Sequence, residues 1–259
     1  MNETPEWNLV FVLPNLLLEG GDSLSPLELT LGLEGISLVP ASDHRVEEIR
    51  EWSEPAARFL DSFHDGNGEP IVPAALILRN DWMEELGREI EPVIAFRNAA
   101  ALCLVLLSRS RWGGGGWLGA PWSDTFDYHS AQLRLDGSKF DSWTPALNSI
   151  GFKLEGLSLT PDIRIPRTRI GPIDDHLAVR LGRAWRLRFL KRRDRNTTAK
   201  LFRSLEVAYE ASALRFRNYS SLTEVGLDTV DWTTAIEILA TPAKGNVTKH
   251  HCSQLIGTF

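Results

Sequence analysis

The sequence of 259 residues predicts an α+β protein: a mixed α/β N-terminal region with a buried helix, followed by a small C-terminal helical bundle. Three observations predict it. Short Leu-, Val- and Ile-rich runs near the N-terminus are cut by Pro and Gly, as strands are. One central run is apolar around its whole helical circumference, which suits a helix inside a core. The last hundred residues carry apolar positions at helical spacing, separated by capping and breaking residues. A hydrophobic content of 43% over this length supports one large domain or two modest ones, and a disordered chain is not expected.

Residues 7–13 and 27–39 read as strands, bounded by Pro14, Gly20, Gly21 and Pro40. Ser42 and Asp43 are placed to cap a helix running to about Phe63, with Val46, Ile49, Trp52, Phe59 and Leu60 as its apolar positions. Pro55 should kink or divide it. Residues 72–78 read as a short buried strand. From 81 to 108 the pattern is helical, in two pieces because Pro92 lacks a backbone donor, and the piece from Val93 onward should run through the core. Its most apolar run, residues 99–107, lies between Arg97 and Arg109 and is far short of the roughly 20 residues needed to cross a bilayer. Cys103 within it reads as a buried thiol, and with Cys252 remote in sequence no disulfide is expected.

A run of four glycines, residues 113–116, then spaces Trp112, Trp117 and Trp122. It lacks the Gly-Lys-Ser/Thr ending of a phosphate-cradling loop, so a flexible connection is the better reading. Residues 131–135 and 152–159 are strand-like. Pro161, Pro166 and Pro172, interleaved with Arg164, Arg167 and Arg169, give an extended composition where the domain boundary is placed: residues 1–160 form the α/β domain and 161–259 the helical one.

Past the boundary, Pro172, Asp174 and Asp175 favour a helix start, the acids because a helix N-terminus is electropositive. At about 100° per residue, Leu177, Leu181, Ala184 and Trp185 share one arc, and Arg180, Arg183 and Arg186 face away from it. Arg188, Lys191, Arg192, Arg193 and Arg195 extend the charge beyond the helix, and Asn196, Thr197 and Thr198 suit the cap of the next one. That helix, residues 199–213, puts Leu201, Phe202, Leu205, Ala208 and Tyr209 on one face. The last, residues 223–240, has too few polar positions for a surface helix and is stopped by Pro242 and Gly245.

Charge is segregated along the chain. Residues 1–92 hold 19 acidic against 5 basic residues, a net of −14, and residues 164–203 hold 13 basic against 3 acidic, a net of +10, within a total of −6. Such asymmetry implies either an acidic partner for the basic stretch or its compensation within the protein. The first six residues lack the basic start and apolar core of a signal peptide. A cytoplasmic protein with no membrane association is expected.

Residues 201–209, Leu-Phe-Arg-Ser-Leu-Glu-Val-Ala-Tyr, and 231–240, Asp-Trp-Thr-Thr-Ala-Ile-Glu-Ile-Leu-Ala, resemble the inner helices of the ApeA-like branch of the HEPN superfamily. The resemblance covers about a quarter of the chain. It implies a helical RNA-targeting domain of the kind found in bacterial and phage-defence systems, with ribonuclease activity carried by an Arg-Asn-x-x-x-His motif where two protomers meet. A histidine exchanges protons near neutral pH, and an arginine stabilises charge developing on a scissile phosphate. This chain departs from the motif: neither Arg97-Asn98 nor Arg217-Asn218 is followed by a histidine at the right distance. The helical domain is therefore expected to be a truncated HEPN-like bundle, non-catalytic in this form.

No other constellation supplies a catalytic set. Arg58 with His64, and Arg169 with His176, match a looser spacing by accident of composition. Asp124, Asp127 and His129 read as loop-capping residues, and His250, His251 and Cys252 diverge on a tail, so no metal site and no cofactor are expected. The resulting expectation is an RNA-associated protein, without catalysis, whose nucleic-acid-binding candidates are Arg180, Arg183, Arg186, Arg188, Lys191, Arg192, Arg193 and Arg195, and which partners RNA, a second copy of itself or another protein. The alternative is a protein–protein interaction module whose basic stretch docks an acidic partner or its own acidic N-terminal half.

Overall fold

The computed structural model describes residues 4–18, 28–65, 67–87, 89–111, 126, 129–133, 140–144, 147–148, 168–169, 173–192, 195–212 and 222–240. The fold is α+β. The chain divides into two compact units, one formed by residues 1–88, 114–121 and 125–172, the other by residues 89–113, 122–124 and 173–259.

The first unit is built on a six-stranded antiparallel sheet. In chain order its elements are β1 (Trp7–Leu13), β2 (Leu16–Leu17), β3 (Ile36–Pro40), α1 (His44–Trp52), α2 (Glu54–Asp61), β4 (Ala74–Arg79), α3 (Asn80–Glu85), β5 (His129–Leu133), β6 (Phe140–Thr144), β7 (Leu147–Asn148) and β8 (Thr168–Arg169). The spatial order is β3-β4-β1-β5-β6-β7, and β2 pairs with β8 in a separate parallel ribbon. The strands β1, β3 and β4 are buried almost throughout, as their continuous apolar runs require. A bulge at Val10 shifts the register between Leu9 and Phe11, so Trp7, Leu9 and Val12 face the same core as α1 and α2, whereas strict alternation would have turned Val12 the other way. That core is filled by Val39, Ile49, Phe59, Phe63 and Ile77, with the Phe59 and Phe63 rings edge to face at 5.2 Å.

The expected helix from Asp43 is divided in two. Ser53 ends α1 and caps α2, its hydroxyl accepting from the Ala56 N–H at 3.4 Å, and Pro55 sits in the first turn of α2, where no backbone donor is needed. Asp43 caps α1: its carboxylate accepts from the Arg45 backbone N–H at 2.9 Å and grips the Arg45 guanidinium at 2.8 and 3.0 Å. Arg45 also meets Glu28 at 2.9 Å and lies over the Trp7 ring. Gly35 is required where it stands, because a Cβ there would fall 2.1 Å from the Trp82 indole.

The second unit is helical: α4 (Glu91–Arg111), α5 (Asp175–Trp185), which continues as a π turn (Arg186–Leu190), α6 (Arg195–Ala211) and α7 (Leu222–Ala240). Pro92 stands in the first turn of α4. Val93 and every residue from Ala95 to Cys103 are buried, in line with the apolar composition of that stretch. Sequence order assigns this helix to the N-terminal domain, but it packs with α5 and α6 and belongs to the helical unit. The boundary at residues 160–161 lies outside the described residues. Leu102 of α4, Ala208 of α6 and Ala235 of α7 meet in the core of the unit, ringed by Leu205, Val207 and Trp232. The Ser204 hydroxyl donates to the Ala235 carbonyl at 2.7 Å, and the Trp185 indole N–H donates to the Pro92 carbonyl at 2.7 Å. Among the described residues no helix is long and apolar enough to cross a membrane.

Candidate nucleic-acid interface

The basic ridge is organised by α5. Asp174 caps it, its carboxylate accepting from the Leu177 N–H at 3.0 Å, and Asp175 adds negative charge to the first turn, where the helix dipole favours it. Ala178, Leu181, Gly182 and Trp185 are buried. The buried arc is thus centred slightly beyond the expected one, leaving Leu177 and Ala184 half-buried. On the opposite side Arg180 and Arg183 are exposed, and Val179 beside them is 63% exposed.

The helix then widens. The Lys191 N–H bonds the Arg186 carbonyl at 2.9 Å across five residues, and all residues of this π turn, Arg186 to Leu190, are half-buried. Arg188 reaches Glu91 at 3.4 Å, a long contact to a mostly exposed carboxylate, and its guanidinium lies 5.6 Å from the Phe189 ring centroid. Lys191 and Arg192 follow, both exposed, with Arg192 in the left-handed region at φ 47° closing the turn. Arg180, Arg183, Arg186, Lys191 and Arg192 make no ion pair with any described carboxylate. Arg193 lies outside the described residues, as does the side chain of Arg195, which opens α6. That helix start lies ahead of the expected cap at Asn196, Thr197 and Thr198.

Phe189 and the interior role of Arg97 are not evident from the sequence. The Phe189 ring is tilted against Trp185 at 5.4 Å and Phe202 at 5.3 Å, an aromatic series whose only trace in the sequence is the four-residue spacing of Trp185 and Phe189. Arg97, 6% exposed, bonds the Asn98 side-chain carbonyl at 3.1 and 2.6 Å and lies over the Tyr209 ring at 4.3 Å. A planar guanidinium suits that use, since it stacks and donates in plane at once. Arg97-Asn98 is thereby an interior feature linking α4 to α6. Cys103 is buried on the same helix, and burial pushes its thiol up to about 12, so it is inert as a nucleophile at neutral pH.

Among the described residues, the remaining candidates are not brought together. Arg58 pairs with Glu54, while His64 places Nδ1 2.9 Å from the Ser62 carbonyl oxygen. His176 is exposed on the first turn of α5, and the Arg169 side chain lies outside the described residues. So do the glycine run, Trp112, Trp117, Trp122, Asp124, Asp127, Arg217, Asn218, the strand-like run 152–159, the side chain of His129 and residues 250–252. Among the described residues, no three His, Cys, Asp or Glu side chains form a group that could hold a metal ion. No protein-family model, curated protein or solved structure matches this chain.

Proposed function

We propose that this protein binds RNA, without cleaving it, through the cationic face of α5 and the turn that follows. The observation that carries the reading is the set of Arg180, Arg183, Lys191 and Arg192, exposed on a helix and its following turn, with the half-buried Arg186 among them, on an element whose other side is anchored by Leu181 and Trp185; none of the five pairs with a described carboxylate. Cations so presented are placed to neutralise phosphates, with release of the counterions around the nucleic acid. The arrangement accords with the RNA-targeting role implied by the HEPN resemblance of α6 and α7, and with the lack of an Arg-Asn-x-x-x-His set.

The test is RNA affinity as a function of salt. Replacing Arg180, Arg183, Lys191 and Arg192 by Ser should leave the circular dichroism spectrum unchanged and weaken binding. The slope of log K against log salt should fall by roughly one unit for each phosphate that is no longer neutralised. No binding by the wild-type chain at low salt, or equal binding by the variant, would overturn the reading in favour of an interaction module for an acidic protein. Purified protein should also leave single-stranded and transfer RNA intact. Cleavage that disappears in His64→Ala or His176→Ala would show a catalytic role instead.

A further inference from the structure

We propose that Phe189 is a base-stacking subsite at the end of the α5 ridge, and that the ligand of this surface is single-stranded. The inference rests on the RNA-binding reading. Three aromatic rings stand in series here, and they differ in exposure: Trp185 is 0% and Phe202 8% exposed, while Phe189 between them is half-buried. The two buried rings pack against Phe189 at tilts of 51° and 57°, and a ring restrained by such contacts has less freedom to lose when a planar ligand stacks on it. Arg188 is at the margin of cation–π range, 5.6 Å from the centroid, and Lys191 and Arg192 follow within three residues.

An aromatic face within a row of cations is what a single strand uses, because its bases are free to splay out and stack while its phosphates track the charge. A duplex keeps its base faces covered and offers only phosphates to such a surface. The π turn contributes by leaving Phe189 half-buried where the same core stripe buries Trp185 one turn earlier. The contact of Arg188 with Glu91 is long, 3.4 Å, and its carboxylate is mostly exposed; a phosphate, which an arginine contacts in bidentate fashion, would compete with that carboxylate.

The experiment compares the wild-type chain, Phe189→Leu and Phe189→Tyr on a short oligouridine and on an RNA duplex of equal length. Wild type should prefer the single strand. Phe189→Leu should bind it roughly 5- to 150-fold more weakly, the weight of one base–aromatic stack, with an unchanged salt slope and little effect on the duplex. Phe189→Tyr should bind like wild type. Equal weakening on both ligands, or none, would overturn the subsite. Should Phe189→Leu fail to fold, irradiation of the wild-type complex with a 5-iodouridine oligonucleotide decides it: a crosslink on Phe189 supports the subsite, and crosslinks only elsewhere overturn it. Binding of single strand and duplex alike defeats this inference alone, whereas absence of any RNA binding defeats the functional reading with it.

Discussion

One carboxylate, that of Asp43, both caps α1 and holds Arg45 in a two-point grip. The hydrogen bonds from Arg45 hold its pKa below the ordinary carboxylate value, against the opposing effect of burial. A depressed folded pKa means that the unfolded chain binds the proton more readily. The resulting stability is present above about pH 4 and is lost as pH falls through the folded value. Asp43→Asn keeps a capping side chain but removes the ion pair, so wild type should exceed the variant in stability at neutral pH by a margin that closes in acid. Urea midpoints measured across that range check it, and a margin independent of pH would refute it. At Gly35 the determining fact is space rather than charge. Gly35→Ala drives a methyl group to 2.1 Å from the Trp82 indole, and the shift this forces should cost about 1–3 kcal/mol, read from the same urea midpoints.

At the scale of elements, what the sequence disclosed and what it hid have separate physical causes. The division of α1 from α2 was legible because a proline dictates a helix start locally. The faces of α5 were legible because Arg180 and Arg183 recur at helical spacing opposite Leu181 and Trp185. The bulge at Val10 and the strand β6 were not, since pairing with a distant partner decides them and Phe140-Asp141-Ser142-Trp143-Thr144 carries no strong local signal. The membership of α4 in the helical unit was hidden too, because an all-round apolar helix is compatible with any core. The part of the candidate site that escaped, Phe189, stands in a π turn, where the 3.6-residue period no longer says which side a residue takes. The grouping of α4 with α6 and α7 has a direct consequence. Leu102→Ala removes a side chain from the point where the three meet and should cost about 2–5 kcal/mol. Val230→Ala, on an exposed position of α7, should stay within about 0.5 kcal/mol of wild type. Denaturant titration followed by helical circular dichroism measures both, and a small effect at Leu102 would show that the three helices do not share a core.

At the scale of the whole molecule, net charge and local charge point in opposite directions. The chain carries a formal −6, yet Arg180, Arg183, Lys191 and Arg192 are exposed and meet none of the described carboxylates. Screening confines each field to about 10 Å at ordinary salt, so a highly charged polymer can be held by the ridge while the protein as a whole is repelled by anions at longer range. Such a protein should be retained at low salt and neutral pH both on an anion exchanger and on heparin. Replacing Arg180, Arg183, Lys191 and Arg192 by Ser shifts the formal charge from −6 to −10, and should separate the two behaviours: earlier elution from heparin, later elution from the anion exchanger. The contrast matters because a protein whose ridge is neutralised by its own carboxylates would elute from heparin with the unretained fraction before any substitution is made. Retention of wild type on the exchanger alone would therefore establish internal compensation, and with it remove the physical basis for an RNA-binding surface on α5.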